Sequence, residues 1–384
     1  MVEELGIGIV GFGFIGKVHA YAYLNMPIFY DPPPCRTNIV GVADVRPEIA
    51  SAIRDQIPVE FTTHDHRELI ERDDIQVIHV CTPNDSHRQI ILDALAAGKH
   101  VCCDKPLCLN SSEAEEILSA LSGYQGINMM SFEYRFIPAM LRAKQLVDEG
   151  FLGRILSFRA VYLHSGYVDP KRPMSWRLDR AKSGGGALFD LGTHIVDLLQ
   201  HLMGPFSAVQ ATTETFFRER PDPKTGKPVP VEVDDLALMT VRTPDGALGT
   251  IEVSRVATGV NDELRFEIHG TDGAMRFNLM DPNWLEVYNN REAGEPIGGT
   301  RGFKKIETVG RYPKPGGFPG PKFAIGWIRG HMAAIHHFVN SIVEGRPVRP
   351  DLRDGARLQQ FLDLAYASSA KKGTWLPVPE EWRR

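Results

Sequence analysis

The segment LGIGIVGFGFIGKVHAYAYL, Leu5 to Leu24, limits the fold more than any other stretch of the chain. Leu5–Gly11 is an apolar run broken only by glycines and reads as a buried strand. It leads into Gly11, Gly13 and Gly16, spaced G-x-G-x-x-G, and a helical pattern follows at once. Strand, tight glycine turn and helix, in that order, make the phosphate-binding corner of a dinucleotide fold. The first glycine permits the turn and the second lets a pyrophosphate approach the backbone. The third lets helix and strand pack closely, with the anion at the helix N-terminus. The competing reading is a glycine turn of another α/β fold, with Asp44 serving as a helix cap.

The flanking pattern extends this corner into a domain. Asn38–Asp44 reads as a second strand, and Arg46–Gln56 as a helix with Pro47 in its first turn. Val77–Pro83 is a strand, Asp85–Gly98 a helix closed by glycine, His100–Lys105 a strand, Ser111–Gly123 a capped helix and Ile127–Phe132 a strand. Such alternation predicts a doubly wound parallel sheet covered on both faces, here over residues 1–132. The texture then changes. One helix, Ile137–Gly150, leads to a long strand, Arg154–His164. Four more strands come as pairs joined by the short turns TPDG (243–246) and GTDG (270–273), which predicts antiparallel hairpins. Residues 133–384 therefore read as an α+β domain with a large, mostly antiparallel open sheet, ending in helices around Trp327–Val343 and Asp354–Lys371. Two segments rich in proline and glycine, Arg218–Glu232 and Glu292–Lys322, read as loops. The second is long enough to be expected at a substrate pocket or a subunit contact.

Composition excludes several classes of function. A net charge of −5 gives no basic footprint for nucleic acid or an anionic membrane, and no apolar run is long enough to span a bilayer. The N-terminus lacks a basic region and a cleavage site, so no signal peptide is expected. Five cysteines, an odd number in a long chain, fit a reducing cytoplasm better than a disulfide framework. Three of the five lie in HVCCDKPLCLN, His100–Asn110. A zinc site pairs its ligands at C-x(2–4)-C with a second pair elsewhere. Cys102 and Cys103 are adjacent and point to opposite faces of a strand, Cys108 follows a proline turn, and Cys35 and Cys81 stand apart. They read as buried small apolar residues, and no metal is expected.

The residue of interest there is Lys105, at the carboxyl end of a parallel strand, where ligands of open α/β sheets bind. Asp44 ends the second strand, where a carboxylate can accept both hydroxyls of an adenosine ribose. It would repel a 2′-phosphate, which favours NAD, although Arg46 lies within reach of such a phosphate and keeps NADP possible. In the segment Ser183–Gly204, Leu188, Leu191, Ile195, Leu198 and Leu202 form an apolar helical stripe. Asp190, His194, Asp197 and His201 form a polar one. Spacing alone leaves this polar face open between catalysis and simple solvation. A lysine together with an Asp–His face is what oxidation of an alcohol needs. The imidazole accepts the hydroxyl proton as hydride leaves the carbon, and the lysine charge stabilises the developing alkoxide without a metal. One motif is discounted. Tyr167–Lys171, YVDPK, has the Tyr-x-x-x-Lys spacing of short-chain dehydrogenases, but Pro170 prevents the helical turn that would stack the two residues.

Taken together, GIVGFGFIG, CTPNDSH, DKPLCLN and SGGGALFDLGTHIVD resemble, in this order, the motifs of the glucose–fructose oxidoreductase/inositol dehydrogenase (Gfo/Idh/MocA) family. The resemblance covers nearly the whole chain and is strongest to levoglucosan dehydrogenase-like and inositol dehydrogenase-like members. The one departure is Asp104 where the family usually has glutamate. The resemblance implies Lys105, Asp190 and His194 as the catalytic group. It implies a dinucleotide held by Gly11, Gly13, Phe14, Ile15, Gly16, Asp44, Arg46, Thr82, Pro83, Asn84, His87 and Lys105. It also implies oxidation of a ring hydroxyl of a sugar, anhydrosugar or cyclitol, and a homodimer or homotetramer formed through the C-terminal sheet. Tyr134, Arg135, Trp176 and Arg177, aromatic faces and guanidinium forks that suit a polyhydroxylated ring, are expected with Asp190 and His194 around the substrate. Two other functions share these motifs: an NAD-dependent glycosidase that oxidises its substrate transiently, and a non-catalytic sugar sensor. The sensor would be expected to have lost the lysine or the histidine, and both are present.

Overall fold

The computed structural model describes residues 4–308 and 326–383. The chain divides into two compact units. One contains the chain as far as Phe136 together with Gly326–Gln359; the other begins at Ile137 and includes the segment from Gln360 onward.

The first unit holds strands β1 (Glu4–Val10), β2 (Arg36–Ala43), β3 (Phe61–Thr63), β4 (Val77–Val80), β5 (His100–Cys103) and β6 (Asn128–Met130). They form a six-stranded sheet in the order β3-β2-β1-β4-β5-β6, and every pair is parallel. The connecting helices are α1 (Phe14–Phe29), α2 (Pro47–Gln56), α3 (His66–Ile70), α4 (His87–Ala96) and α5 (Ser111–Ala120). β1 after Glu4, and β4 throughout, are buried at every position rather than at alternate ones, because helices cover both faces. The strand order reverses beside β1, so the carboxyl ends of β1 and β4 flank the switch-point crevice where doubly wound sheets take their ligands. Gly11, Asp44, Thr82 and Lys105 all follow such ends.

The second unit holds α6 (Pro138–Asp148), α7 (Arg180–Ser183) and α8 (Thr193–Met203), and a nine-stranded sheet in the order β16-β15-β14-β13-β7-β12-β11-β8-β17. Its strands are β7 (Ile155–Leu163), β8 (Ala208–Glu214), β11 (Leu236–Arg242), β12 (Leu248–Ser254), β13 (Glu263–Gly270), β14 (Gly273–Asn278), β15 (Trp284–Asn289), β16 (Lys304–Glu307) and β17 (Leu376–Pro377). The TPDG and GTDG turns close the β11–β12 and β13–β14 hairpins, as their composition predicts. Burial alternates along β11, β12 and β13, so one face of this sheet is covered and the other is open. The pairing of β7 with β12 is parallel, which makes the sheet mixed.

The structure also departs from the pattern-based reading. The first Pro/Gly segment contains a small hairpin, β9 (Glu219–Pro221) with β10 (Pro228–Pro230). Within Glu292–Lys322, β16 forms one edge of the large sheet, and residues 309–322 lie outside the described residues. Of the two last helices, α9 (Trp327–Glu344) packs against α1 in the first unit, where Met332, Ile335, Phe338, Val339 and Ile342 enter the core beside Leu5, Ile7 and Met26. α10 (Leu352–Ala370) follows it. Among the described residues no helix is long and apolar enough to cross a membrane.

Candidate active site

The glycine corner is built as its spacing requires. Gly11 has φ +88°, and a Cβ there would lie 2.6 Å from the Cys81 carbonyl oxygen. A Cβ on Gly16 would lie 2.1 Å from the Gly11 oxygen, so the third glycine lets α1 sit down on the turn. Gly13 faces open space, with no atom within 4 Å of a built Cβ, and no side chain caps the α1 N-terminus that it begins. A polyphosphate can therefore approach the first-turn N–H groups directly. Phe14 is 68% exposed, and Ile15 packs partly into the core. The Phe14 ring stacks on Trp327 at 5.7 Å, and the Trp327 Nε1–H donates to the Tyr134 hydroxyl at 3.3 Å. This places Tyr134 and the start of α9 beside the dinucleotide corner. Tyr134 itself is buried, while Arg135 lies over the Phe132 ring.

Asp44 is buried at the end of β2. Its Oδ2 accepts from Phe12 N at 2.8 Å, and its carboxylate takes the Arg46 fork through Nε at 2.9 Å and Nη2 at 2.7 Å. Burial pushes its pKa up, and the Arg46 and Phe12 hydrogen bonds overcome this and hold it below the usual carboxylate range. After β4, the Ser86 hydroxyl donates to Thr82 Oγ1 at 2.7 Å, Pro83 is exposed and Asn84 is buried. His87 is fully buried. Its ring nitrogens lie 2.9 Å from the Thr82 and Pro106 carbonyl oxygens, so it ties the Thr82 loop to the Lys105 turn. It shapes that loop from beneath. Asp104 N donates to the Val80 carbonyl at 2.9 Å, and the half-buried Lys105 follows at the carboxyl edge of β5.

In the second unit, the triple glycine has a packing reason rather than a ligand-approach one. A Cβ on Gly186 would lie 2.0 Å from the Asp234 carbonyl oxygen, and one on Gly185 would lie 2.3 Å from the Tyr366 hydroxyl. The Asp234 carboxylate accepts from Gly186 N at 2.9 Å and Leu188 N at 2.8 Å, and so fixes the start of the next helical segment. That segment is a π-helical turn, Leu188–Gly192, running directly into α8. Such single π-helical turns occur frequently at functional sites. Asp190 projects from it and accepts from Arg255 Nη2 at 3.1 Å. His194 is 8% exposed, with its ring edge-on to Tyr162 at 5.7 Å. Asp197 is buried as well, so this polar stripe is not a solvated face. Trp176 carries the Arg177 guanidinium on its ring at 4.4 Å. Tyr167 sits under Arg172 and Arg255 in a non-helical turn, as Pro170 requires.

Arg255 escapes a motif search. Its side chain is 2% exposed, its Nη1 donates to the Arg177 carbonyl at 3.3 Å, and its Nη2 bonds Asp190. Burial works against its charge, and the carboxylates of Asp190 and Asp234 outweigh that effect. The available signal is register: Gly249, Ile251 and Val253 point inward along β12, and Arg255 continues that parity, where a charge needs a partner.

The cysteines form a different kind of cluster. Cys102 lies with His19 and His79, their ligating atoms all within 4.8 Å of one another, and Cys81 Sγ is 3.4 Å from His19 Nδ1. The two histidine Nδ1 atoms are 2.8 Å apart, and Tyr23 Oη is 2.7 Å from His79 Nε2. Two nitrogens sharing a tetrahedral zinc at about 2.0–2.1 Å would stand about 3.3 Å apart, so this spacing is that of an imidazole–imidazole hydrogen bond. A chelator is expected to leave turnover unchanged. Replacing Cys102, Cys103 and Cys108 together by serine is expected to cost about 1–3 kcal/mol per site through buried hydroxyls, with activity retained in the folded fraction. Loss of activity on chelation, restored by zinc, would refute this reading.

Residues 5–132 match the model described as the oxidoreductase family with an NAD-binding Rossmann fold, and residues 140–276 match the GFO/IDH/MocA C-terminal domain. The chain belongs to the GFO/IDH/MocA oxidoreductase family. It is 36% identical to levoglucosan dehydrogenase of Pseudarthrobacter phenanthrenivorans, over 99% of each chain. It is 27% identical to inositol 2-dehydrogenase of Rhizobium meliloti, over 95% of this chain and 97% of that one. A solved structure of levoglucosan dehydrogenase in complex with NADH and levoglucosan superposes with a TM-score of 0.93 at 37% identity, covering 98% of this chain and 100% of that one. The parallel six-stranded sheet and the large, mostly antiparallel sheet are thus those of an NAD-binding oxidoreductase.

Proposed function

We propose that this protein oxidises a ring hydroxyl of an anhydrosugar, sugar or cyclitol, with NAD as acceptor. The observation that carries this reading is the full-length similarity to levoglucosan dehydrogenase, in a chain that keeps Lys105, Asp190 and His194. NAD fits the chain's own residues: Gly11, Gly13 and Gly16 for the pyrophosphate corner, Asp44 and Arg46 at the adenosine end, and Thr82–Asn84 and Lys105 along the β4 and β5 edges. When bound, the nicotinamide supplies the hydride acceptor. His194, whose ring is held against Tyr162, takes the proton of the reacting hydroxyl. Lys105 stabilises the oxyanion as it forms. Asp190, fixed by Arg255, orients the sugar, and Tyr134, Arg135, Trp176 and Arg177 contact its ring and hydroxyls. The same reading assigns residues 1–132, together with the α9 helix packed against them, to the cofactor and the rest of residues 133–384 to substrate and assembly. The open face of the large sheet, with exposed Leu238 and Leu248, supports a homodimer or homotetramer. The five buried free thiols are consistent with a reducing cytoplasm.

The test is the absorbance of NADH on mixing protein and NAD with levoglucosan, other anhydrosugars, pyranoses and inositols. One NADH per oxidised sugar is expected, with an anhydrosugar the best substrate. Product formed without net NADH would support transient oxidation by a glycosidase, and binding without turnover would support a sensor.

A further inference from the structure

The sequence offers Asp44 to the ribose as an open carboxylate, but the structure closes it. Its Oδ1 accepts from Arg46 N at 3.0 Å and Arg46 Nε at 2.9 Å; its Oδ2 accepts from Phe12 N at 2.8 Å and Arg46 Nη2 at 2.7 Å. Those four bonds fill the acceptor places of a carboxylate. The Asp44 side chain is 3% exposed and that of Arg46 is 49% exposed. An incoming adenosine 2′ position therefore meets a guanidinium first. Next to it, the exposed His64 sits with Nδ1 at 3.0 Å from the Asp44 carbonyl oxygen, adding no negative charge. The further acid acting on Arg46 is Glu48, in the first turn of α2.

This arrangement changes what each cofactor encounters. A 2′-hydroxyl needs an acceptor, and reaches Asp44 only if the Arg46 fork gives way. A 2′-phosphate needs donors and positive charge, and a planar guanidinium supplies both. The repulsion a bare Asp44 would exert is cancelled while the pair holds, and the backbone N–H of Phe12 still satisfies Asp44 if Arg46 turns outward.

We propose that Arg46 is the specificity-determining residue of the adenosine end, neutralising Asp44 and donating to a 2′-phosphate, so that the protein takes NADP as well as NAD. The proposal rests on the family's dinucleotide fold and is independent of which sugar is oxidised. Binding of NADH and NADPH is titrated by nicotinamide fluorescence on the wild type, Arg46→Ala and Arg46→Lys. Wild type is expected to bind both. Arg46→Ala is expected to raise the NADPH-to-NADH ratio of Kd by about tenfold or more, because the 2′-phosphate loses its donor while Asp44 is released to the ribose. Arg46→Lys, which keeps the charge but loses the fork, should fall between. Retained NADH binding shows that the variant is folded and the dinucleotide site intact. If wild type binds no NADPH, or the NADPH-to-NADH ratio of Kd does not rise in Arg46→Ala, the proposal is overturned while the NAD-dependent reading stands.

Discussion

Lys105→Met is expected to lower kcat by about 10²–10³ while NADH binding stays within a few fold of wild type. The lysine follows β5 directly. Its turn is fixed on both sides, by Asp104 N on the Val80 carbonyl and by His87 on the Pro106 carbonyl. A charge held on a rigid turn needs little reorganisation as an alkoxide develops, and methionine keeps the length while removing the charge. The loss should fall on the chemical step, so kcat and kcat/KM should drop together. His194→Ala should be of similar severity and should flatten the rise of rate with pH that an imidazole base imposes. Asp190→Asn should raise KM and lower kcat together, since the proposed role of Asp190 is to orient the sugar. Near-normal steady-state turnover by Lys105→Met would remove the lysine from the chemistry.

Much of this site is legible along the chain because its determinants are local. Gly11, Gly13 and Gly16 act on their own turn, and His87 and Lys105 sit within a few residues of the strands that position them. The strands of the first unit are read from continuous burial, and the hairpins from TPDG and GTDG. Most of what escaped depends on partners distant in sequence. Gly185 and Gly186 read in sequence only as part of a glycine run, whereas in the fold Asp234 and Tyr366 fill the space that their missing side chains leave. Trp327 reads only as the start of a helix until α9 returns to α1 and sets the ring on Phe14. The parallel pairing of β7 with β12 has no turn to announce it. Asp44 is the most instructive case: its place at the end of β2 is plain from pattern, whereas its closure by Arg46, two residues on, depends on rotamers that no periodicity encodes.

Acid should destabilise this protein well above the range where carboxylates titrate. His19, His79 and His331 are fully buried in the first unit, on α1, β4 and α9. Burial lowers the His19 pKa to about 4. Burial, and then the His19 ring, hold His79 well below the ordinary value, and for His331 the charge of Lys105 adds to both. Tyr23, Cys81 and Ser131 around His19 and His79 bring no charge, and at His331 burial, the His19 ring and Lys105 outweigh the Glu133 carboxylate 3.7 Å away. A folded pKa below the unfolded one means that the unfolded chain takes up protons the native state refuses. Stability is then intact above about pH 6.5 and falls as pH drops from there toward the folded values. For His19 alone the full loss is about 3 kcal/mol. Between about pH 7 and pH 4.5, Tm is expected to fall by on the order of 10 °C. Asp44, whose folded pKa is lowered, gives up its contribution only below about pH 4, so the two effects separate. In the double variant His19→Gln, His79→Gln, Tm at pH 8 should drop through lost packing, and its slope between pH 6.5 and 4.5 should flatten. A wild-type Tm that stays level across that window would show that the buried histidines are not what acid attacks.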